Sequence, residues 1–168
     1  MMNRIGYDAV GQRGEAIFYV ALTRLYGRSN PLFRPQFLGD KWPTVDYIVE
    51  LNHASSLALT PYFFVQVRAT RRGYTQRNKR LKVKIGKAEV RKLAMLPAPT
   101  YIIGIDEIAE TGYIIAANRS VDRGLTSIST AFPINQECQD WLWQEVTDFW
   151  TNVGQLNLNS RFTDSLWR

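Results

Sequence analysis

The sequence predicts an α/β fold, a mixed sheet held between helices, and three observations carry that reading. Short runs rich in Val, Ile, Phe and Tyr alternate with segments whose apolar residues recur at helical spacing. Their order is helix, strands, helix, strands, helix, which suits an α/β sandwich better than a doubly wound nucleotide fold. Neither GxGxxG nor GxxxxGK[ST] occurs, and Gly11-Gln12-Arg13-Gly14 matches neither phosphate loop.

Residues 6–26 predict the first helix. Ile17, Ala21 and Leu25 recur at helical spacing, with Phe18 and Leu22 beside them, and Gly27 is a stop signal. Gly11 and Gly14 lower helix propensity; their lack of a side chain would let another backbone come close. Residues 32–38 predict a strand, and Pro35, with no N–H to give to a ladder, confines it to a sheet edge. Gly39-Asp40-Lys41-Trp42-Pro43 is a turn. Two strands follow, at 44–52 and 61–70, joined by the polar loop Asn52-His53-Ala54-Ser55-Ser56. Gly73 to Lys79 reads as a basic loop. Leu81, Val83 and Ile85 alternate with Lys82 and Lys84, the pattern of a short strand with one basic face. Residues 87–96 predict a helix ended by Pro97 and Pro99. Residues 101–105 and 112–117 form a strand pair around Asp106-Glu107. Asn135 is a cap for a final helix from Gln136 to about Asn152, made amphipathic by Trp141, Leu142, Val146, Phe149 and Trp150. The whole chain, 1–168, reads as one domain, with a core over about 6–152 and a polar tail over 153–168.

Composition narrows the function classes. An apolar content of 45% over 168 residues supports a real core. No stretch approaches the roughly 20 apolar residues of a membrane span. Met1 to Asp8 contains no apolar signal segment. The expectation is a cytoplasmic protein with no membrane partner. Cys138 is the only cysteine and His53 the only histidine, so an internal disulfide and a thiolate zinc site are both excluded. A catalytic triad would have to use His53, and no serine lies in a nucleophile-elbow motif.

Charge is concentrated. Of the 21 Lys and Arg residues, eleven lie between Arg68 and Lys92, opposed only by Glu89, so that segment carries +10. The remaining ten basic and fourteen acidic residues give −4, and the net +6 comes from one segment. Such a local field attracts polyanions. A solvated basic surface is the plain alternative. A start at a candidate phosphate site favours nucleic acid, with Arg71, Arg72, Arg77, Lys79, Arg80, Lys82, Lys84 and Lys87 as the contacting set.

That candidate site is a group of polar residues inside apolar strands. Asp46 lies in Val45-Asp46-Tyr47-Ile48-Val49, and Gln66 and Arg68 flank Val67 in Tyr62 to Ala69. Polar groups there cost free energy unless they are satisfied. Alternation along a strand points Gln66 and Arg68 the same way, with Phe64 and Thr70, while Val65 and Val67 point to packing. If the two strands are neighbours, Asp46, Gln66 and Arg68 converge at one end of the sheet. Glu15 shares the helical stripe of Phe18 and Leu22 and needs a partner there. Mg²⁺ prefers oxygen ligands and few carboxylates. Asp46, Glu15, the Gln66 amide oxygen and the Val67 carbonyl could supply them, with Arg68 stabilising charge on a phosphate. Each residue alone has a plainer role: Asp46 a cap, Glu15 an ion-pair partner of Arg68 or Arg13, Gln66 a satisfied core amide, Arg68 a surface cation.

The pattern resembles the PD-(D/E)XK nuclease superfamily, whose signature is a helix glutamate, a strand aspartate, then (D/E)-x-K on the next strand. Those positions here read Gly14-Glu15, Val45-Asp46 and Gln66-Val67-Arg68. More narrowly, Phe64-Val65-Gln66-Val67-Arg68-Ala69-Thr70 is similar to the Val-Gln-Val-Lys strand of an uncharacterised bacterial branch. Pro99 to Asp106 is similar to that branch's Pro-containing strand. The resemblance spans roughly residues 6–118. It implies a restriction-endonuclease-like three-layer core, a central mixed β-sheet flanked by helices. It also implies Mg²⁺- or Mn²⁺-dependent hydrolysis of phosphodiester bonds, with Glu15, Asp46, Gln66 and Arg68 as catalytic residues and DNA as the first substrate to test. Two departures stand out. Gln66 replaces the usual acid, and Arg68 replaces a lysine with a cation that cannot lose its proton. The alternatives are a catalytically impaired nucleic-acid-binding protein on the same fold and a scaffold protein. The Trp-rich last helix offers a surface for a homodimer.

Overall fold

Five strands form one mixed sheet in the order β1-β2-β3-β4-β5: β1 (Phe33–Phe37), β2 (Tyr47–Leu51), β3 (Tyr62–Thr70), β4 (Thr100–Asp106) and β5 (Thr111–Ala116). The structure is a computed structural model and describes residues 4–39, 42–54, 60–117, 123–152 and 160–167. Asp40 and Lys41 of the expected turn, Ser55 and Ser56 of the expected loop, and residues 153–159 of the tail lie outside the described residues.

β1, β2 and β3 pair antiparallel in sequence order. The connection from β3 to β4 contains α2 (Lys87–Ala94) and makes this pair parallel, since a parallel neighbour needs a long crossover. β4 and β5 close the sheet as an antiparallel pair. Pro35 lies on β1, at the edge, as a residue without an N–H must.

Two apolar layers sandwich the sheet. On one face α1 (Arg4–Leu22), through Phe18 and Leu22, and α3 (Gln136–Thr151), through Cys138, Leu142 and Val146, pack on Phe63, Val65, Val67, Tyr101, Ile103 and Ile105. On the other face Val90 and Leu93 of α2 join Phe64, Ile102 and Ile115. The alternation of β3 between these clusters is the strand period made visible. Among the described residues no helix is long and apolar enough to cross a membrane.

Two elements depart from expectation. α1 ends at Leu22, four residues early; Tyr26 and Gly27, with positive φ values of 47° and 82°, lie in the turn that follows. Leu81, Val83 and Ile85 keep their alternation and are buried. Leu81 forms isolated bridges to Tyr74 and Ile128, and Ile85 forms one to Leu125, with no ladder, because these partners are irregular backbone lying over the second core.

Candidate functional site

The site lies just before the start of β2. Tyr47 is the first β2 residue paired to β3, opposite Val65, and Asp46 comes just before it. Its N–H donates to the Val65 carbonyl at 2.9 Å. Its carboxylate oxygen Oδ2 accepts the Val67 N–H at 2.6 Å. The Asp46 side chain thus takes over the backbone donor that an absent β2 residue would have satisfied. In a strand the N–H and C=O of one residue face the same side, so the Val67 carbonyl points to the edge that Asp46 occupies. Burial raises the Asp46 carboxyl above its ordinary value. The Val67 N–H and the charge of Arg68 pull against that rise, and Glu89 adds to it.

Gln66 and Arg68 lie on the α2 face of β3, together with Phe64, as the alternation predicts. Gln66 is 1% exposed. Its Nε2 donates to Glu89 Oε1 at 2.6 Å, and the Arg68 guanidinium donates to the same oxygen. A carboxylate accepts only, so Glu89 fixes which way the amide points. Gln66 Oε1 is therefore turned away from Glu89, and it is buried with no hydrogen-bond partner. Buried polar atoms in that condition are uncommon and expensive.

Three of the four expected residues therefore form one cluster, and Glu89 completes it. Sequence reasoning counted Glu89 only as the lone acid in a basic run. It is the third residue after the N-cap Gly86 of α2, where any helix favours an acid, so the local pattern gave no separate signal. Glu15 is placed differently. It stands on α1, which packs on the opposite face from Gln66, Arg68 and Glu89. Glu15 and Asp46 both act on Tyr47, whose phenol is pushed up to about 12 by burial, then by Glu15, then by Asp46. Among the described residues no group of three or more His, Cys, Asp or Glu side chains is close enough to share a metal ion. The available donors are mixed: the Asp46 carboxylate, Gln66 Oε1 and the Val67 carbonyl. An all-oxygen set of this kind suits a hard divalent cation, and the orphaned amide oxygen is the atom that such an ion would satisfy.

The basic segment divides in two. Arg80, expected to contact nucleic acid, is buried. It donates to both carboxylate oxygens of Asp164 and, through Nε, to Ser127 Oγ at 3.0 Å. Arg71 forks onto Glu107 at 2.7 and 2.8 Å, and Arg13 reaches the same carboxylate at 3.4 Å. These partners, Asp164 and Glu107, are distant in sequence, which is why the run looked uncompensated. Arg72, Arg77, Lys79, Lys84 and Lys87 are exposed, and Lys82 is half-buried.

A comparison of the chain with family models, with curated proteins and with solved structures finds no match. The geometry therefore stands by itself.

Proposed function

We propose that the protein is a Mg²⁺- or Mn²⁺-dependent phosphodiesterase acting on nucleic acid, DNA in the first instance, on a restriction-endonuclease-like core. The observation that carries this is Gln66 Oε1, buried and unpartnered, two residues before Arg68 and on the strand that Asp46 joins. The element order supports the reading: a helix, three strands, a helix and a strand, with the polar cluster where β2 begins against β3.

Asp46, Gln66 and Val67 would hold the ion through oxygen. When bound, it would neutralise phosphate charge and acidify a water. Asp46 must be ionised to do so, and the neighbouring Arg68 helps to keep it ionised despite burial. Arg68, 37% exposed, is the cation able to reach from the cluster toward a phosphate. Glu89 keeps both the Gln66 amide and the Arg68 guanidinium in position. The exposed cations that follow β3 supply a phosphate-binding surface.

The test is cleavage of plasmid and single-stranded DNA with each metal. Wild type should nick or degrade the DNA with Mn²⁺ or Mg²⁺ and not in EDTA, and Asp46→Ala should fall to background. Absence of cleavage of DNA and RNA by wild type with either ion would remove the enzymatic reading. A binding-only protein is the second reading, and the Arg68–Glu89 ion pair favours it, because a guanidinium held by a carboxylate is partly neutralised. Steep salt-dependent binding without cleavage would establish that form.

A further inference from the structure

We propose that this site takes single-stranded nucleic acid, with a base stacked on Trp42; the inference rests on the nucleic-acid reading above and narrows its substrate. Trp42 stands four residues before Asp46. Its side chain is 47% exposed, an unusual state for the largest apolar side chain. It is not loose. Its indole lies against the Phe64 ring, with centroids 5.4 Å apart and a tilt of only 30°. Phe64 is itself buried and is the residue two before Gln66, on the same face of β3. One side of the indole is therefore braced from the core while much of the ring remains open to solvent.

A second exposed ring, that of Phe37, belongs to the other face of the sheet. Phe37 is 58% exposed and packs on Tyr47, its cross-strand partner, at 5.4 Å. Of the two rings, only Trp42 shares the face of β3 that carries Gln66 and Arg68. On the same side of β3, four residues past Phe64, stands Arg68, 37% exposed; the exposed Arg72, Arg77 and Lys79 follow the end of that strand. Open aromatic faces combined with cations are what bases and phosphates require together. A duplex offers the Trp42 ring no open base face, because its bases are stacked on each other and present edges and backbone. A strand with unpaired bases does.

The experiment is fluorescence anisotropy with a labelled single strand of about 20 nucleotides, longer than the site of a single small domain, and with a hairpin duplex of matching sequence. EDTA is present, so that binding is read without cleavage. Wild type, Trp42→Leu and Trp42→Phe are compared after their thermal midpoints are shown to agree. Leucine keeps apolar bulk against Phe64 without a π face; phenylalanine keeps the face. Wild type should bind the single strand more tightly than the duplex. Trp42→Leu should lose roughly 10- to 100-fold on the single strand, with Trp42→Phe retaining most of the affinity. The salt slope should stay the same, because no phosphate contact is removed. Equal or tighter duplex binding, unchanged affinity in Trp42→Leu, or binding of neither probe overturns the proposal. Duplex preference together with metal-dependent cleavage removes this inference alone, whereas single-strand preference without cleavage removes only the enzymatic claim.

Discussion

Arg68 is the residue on which the choice between catalysis and simple binding turns. Strand alternation made its direction legible in the sequence: it shares a face with Gln66, and the structure places both against Glu89. Glu89 itself was not legible as a site residue, because its approach to β3 is tertiary and its position at the start of a helix already accounts for an acid. The pair it makes with Arg68 has a consequence for activity. A guanidinium is planar, always protonated and committed by its geometry to a carboxylate, whereas an ammonium is a compact charge on a flexible stem. Arg68→Lys should loosen the hold of Glu89 and let the cation follow the phosphate. Metal-dependent cleavage is expected to rise, on the order of tenfold, equivalent to about 1.4 kcal/mol of barrier. A single-turnover rate that is unchanged or lower in Arg68→Lys would assign Arg68 to the ion pair and not to the substrate.

At the scale of elements, the contact that fixes α1 on the sheet is Gly14 over Ala69. A Cβ built on Gly14 would overlap the Cβ of Ala69, so the helix approaches β3 there by backbone. The sequence foretold a close approach from two helix glycines without saying which one used it; at Gly11 nothing lies within 4 Å of an added Cβ. This contact also sets where Glu15, the next residue, stands relative to Tyr47. Gly14→Ala should cost about 1–3 kcal/mol despite the better helix propensity of alanine, because overpacking a close contact forces backbone shifts. Removing the opposing methyl should undo this. The double variant Gly14→Ala/Ala69→Gly is expected to regain most of the loss in urea unfolding, a coupling that a helix-propensity effect alone could not produce. The Leu81–Ile85 segment illustrates the converse limit. Its alternation correctly marked which side chains are buried, yet periodicity carries no information about whether the partner chain is a strand, and here it is the irregular stretch around Leu125 and Ile128.

Over the whole molecule, the concentrated charge read from the sequence is real but is partly spent inside the fold. Arg80 ties the basic segment to the C-terminal segment: its guanidinium is 8% exposed and the Asp164 carboxylate fully buried. The same carboxylate accepts from the N–H groups of Ser129 at 2.9 Å and Leu166 at 3.0 Å, so one ion pair gathers three separate stretches of chain. Burial pushes the Asp164 carboxyl up, but Arg80 and these backbone donors together bring it below its ordinary value. A depressed carboxyl contributes stability that is present above the unfolded value near 3.8 and is lost as pH falls through the folded one. Arg80→Met leaves the charge buried without its cation and should cost about 3–5 kcal/mol at neutral pH. Without Arg80, burial would dominate and lift the Asp164 carboxyl, reversing the sign, so the variant should recover part of its deficit on acidification. Adding Asp164→Asn, which removes the charge and leaves an acceptor for one of the two N–H groups, should restore part of the loss at neutral pH. Urea unfolding of wild type and the two variants between neutral and mildly acidic pH reads all of this. An Arg80→Met protein as stable as wild type would mean that the buried pair is not what holds the C-terminal segment in place.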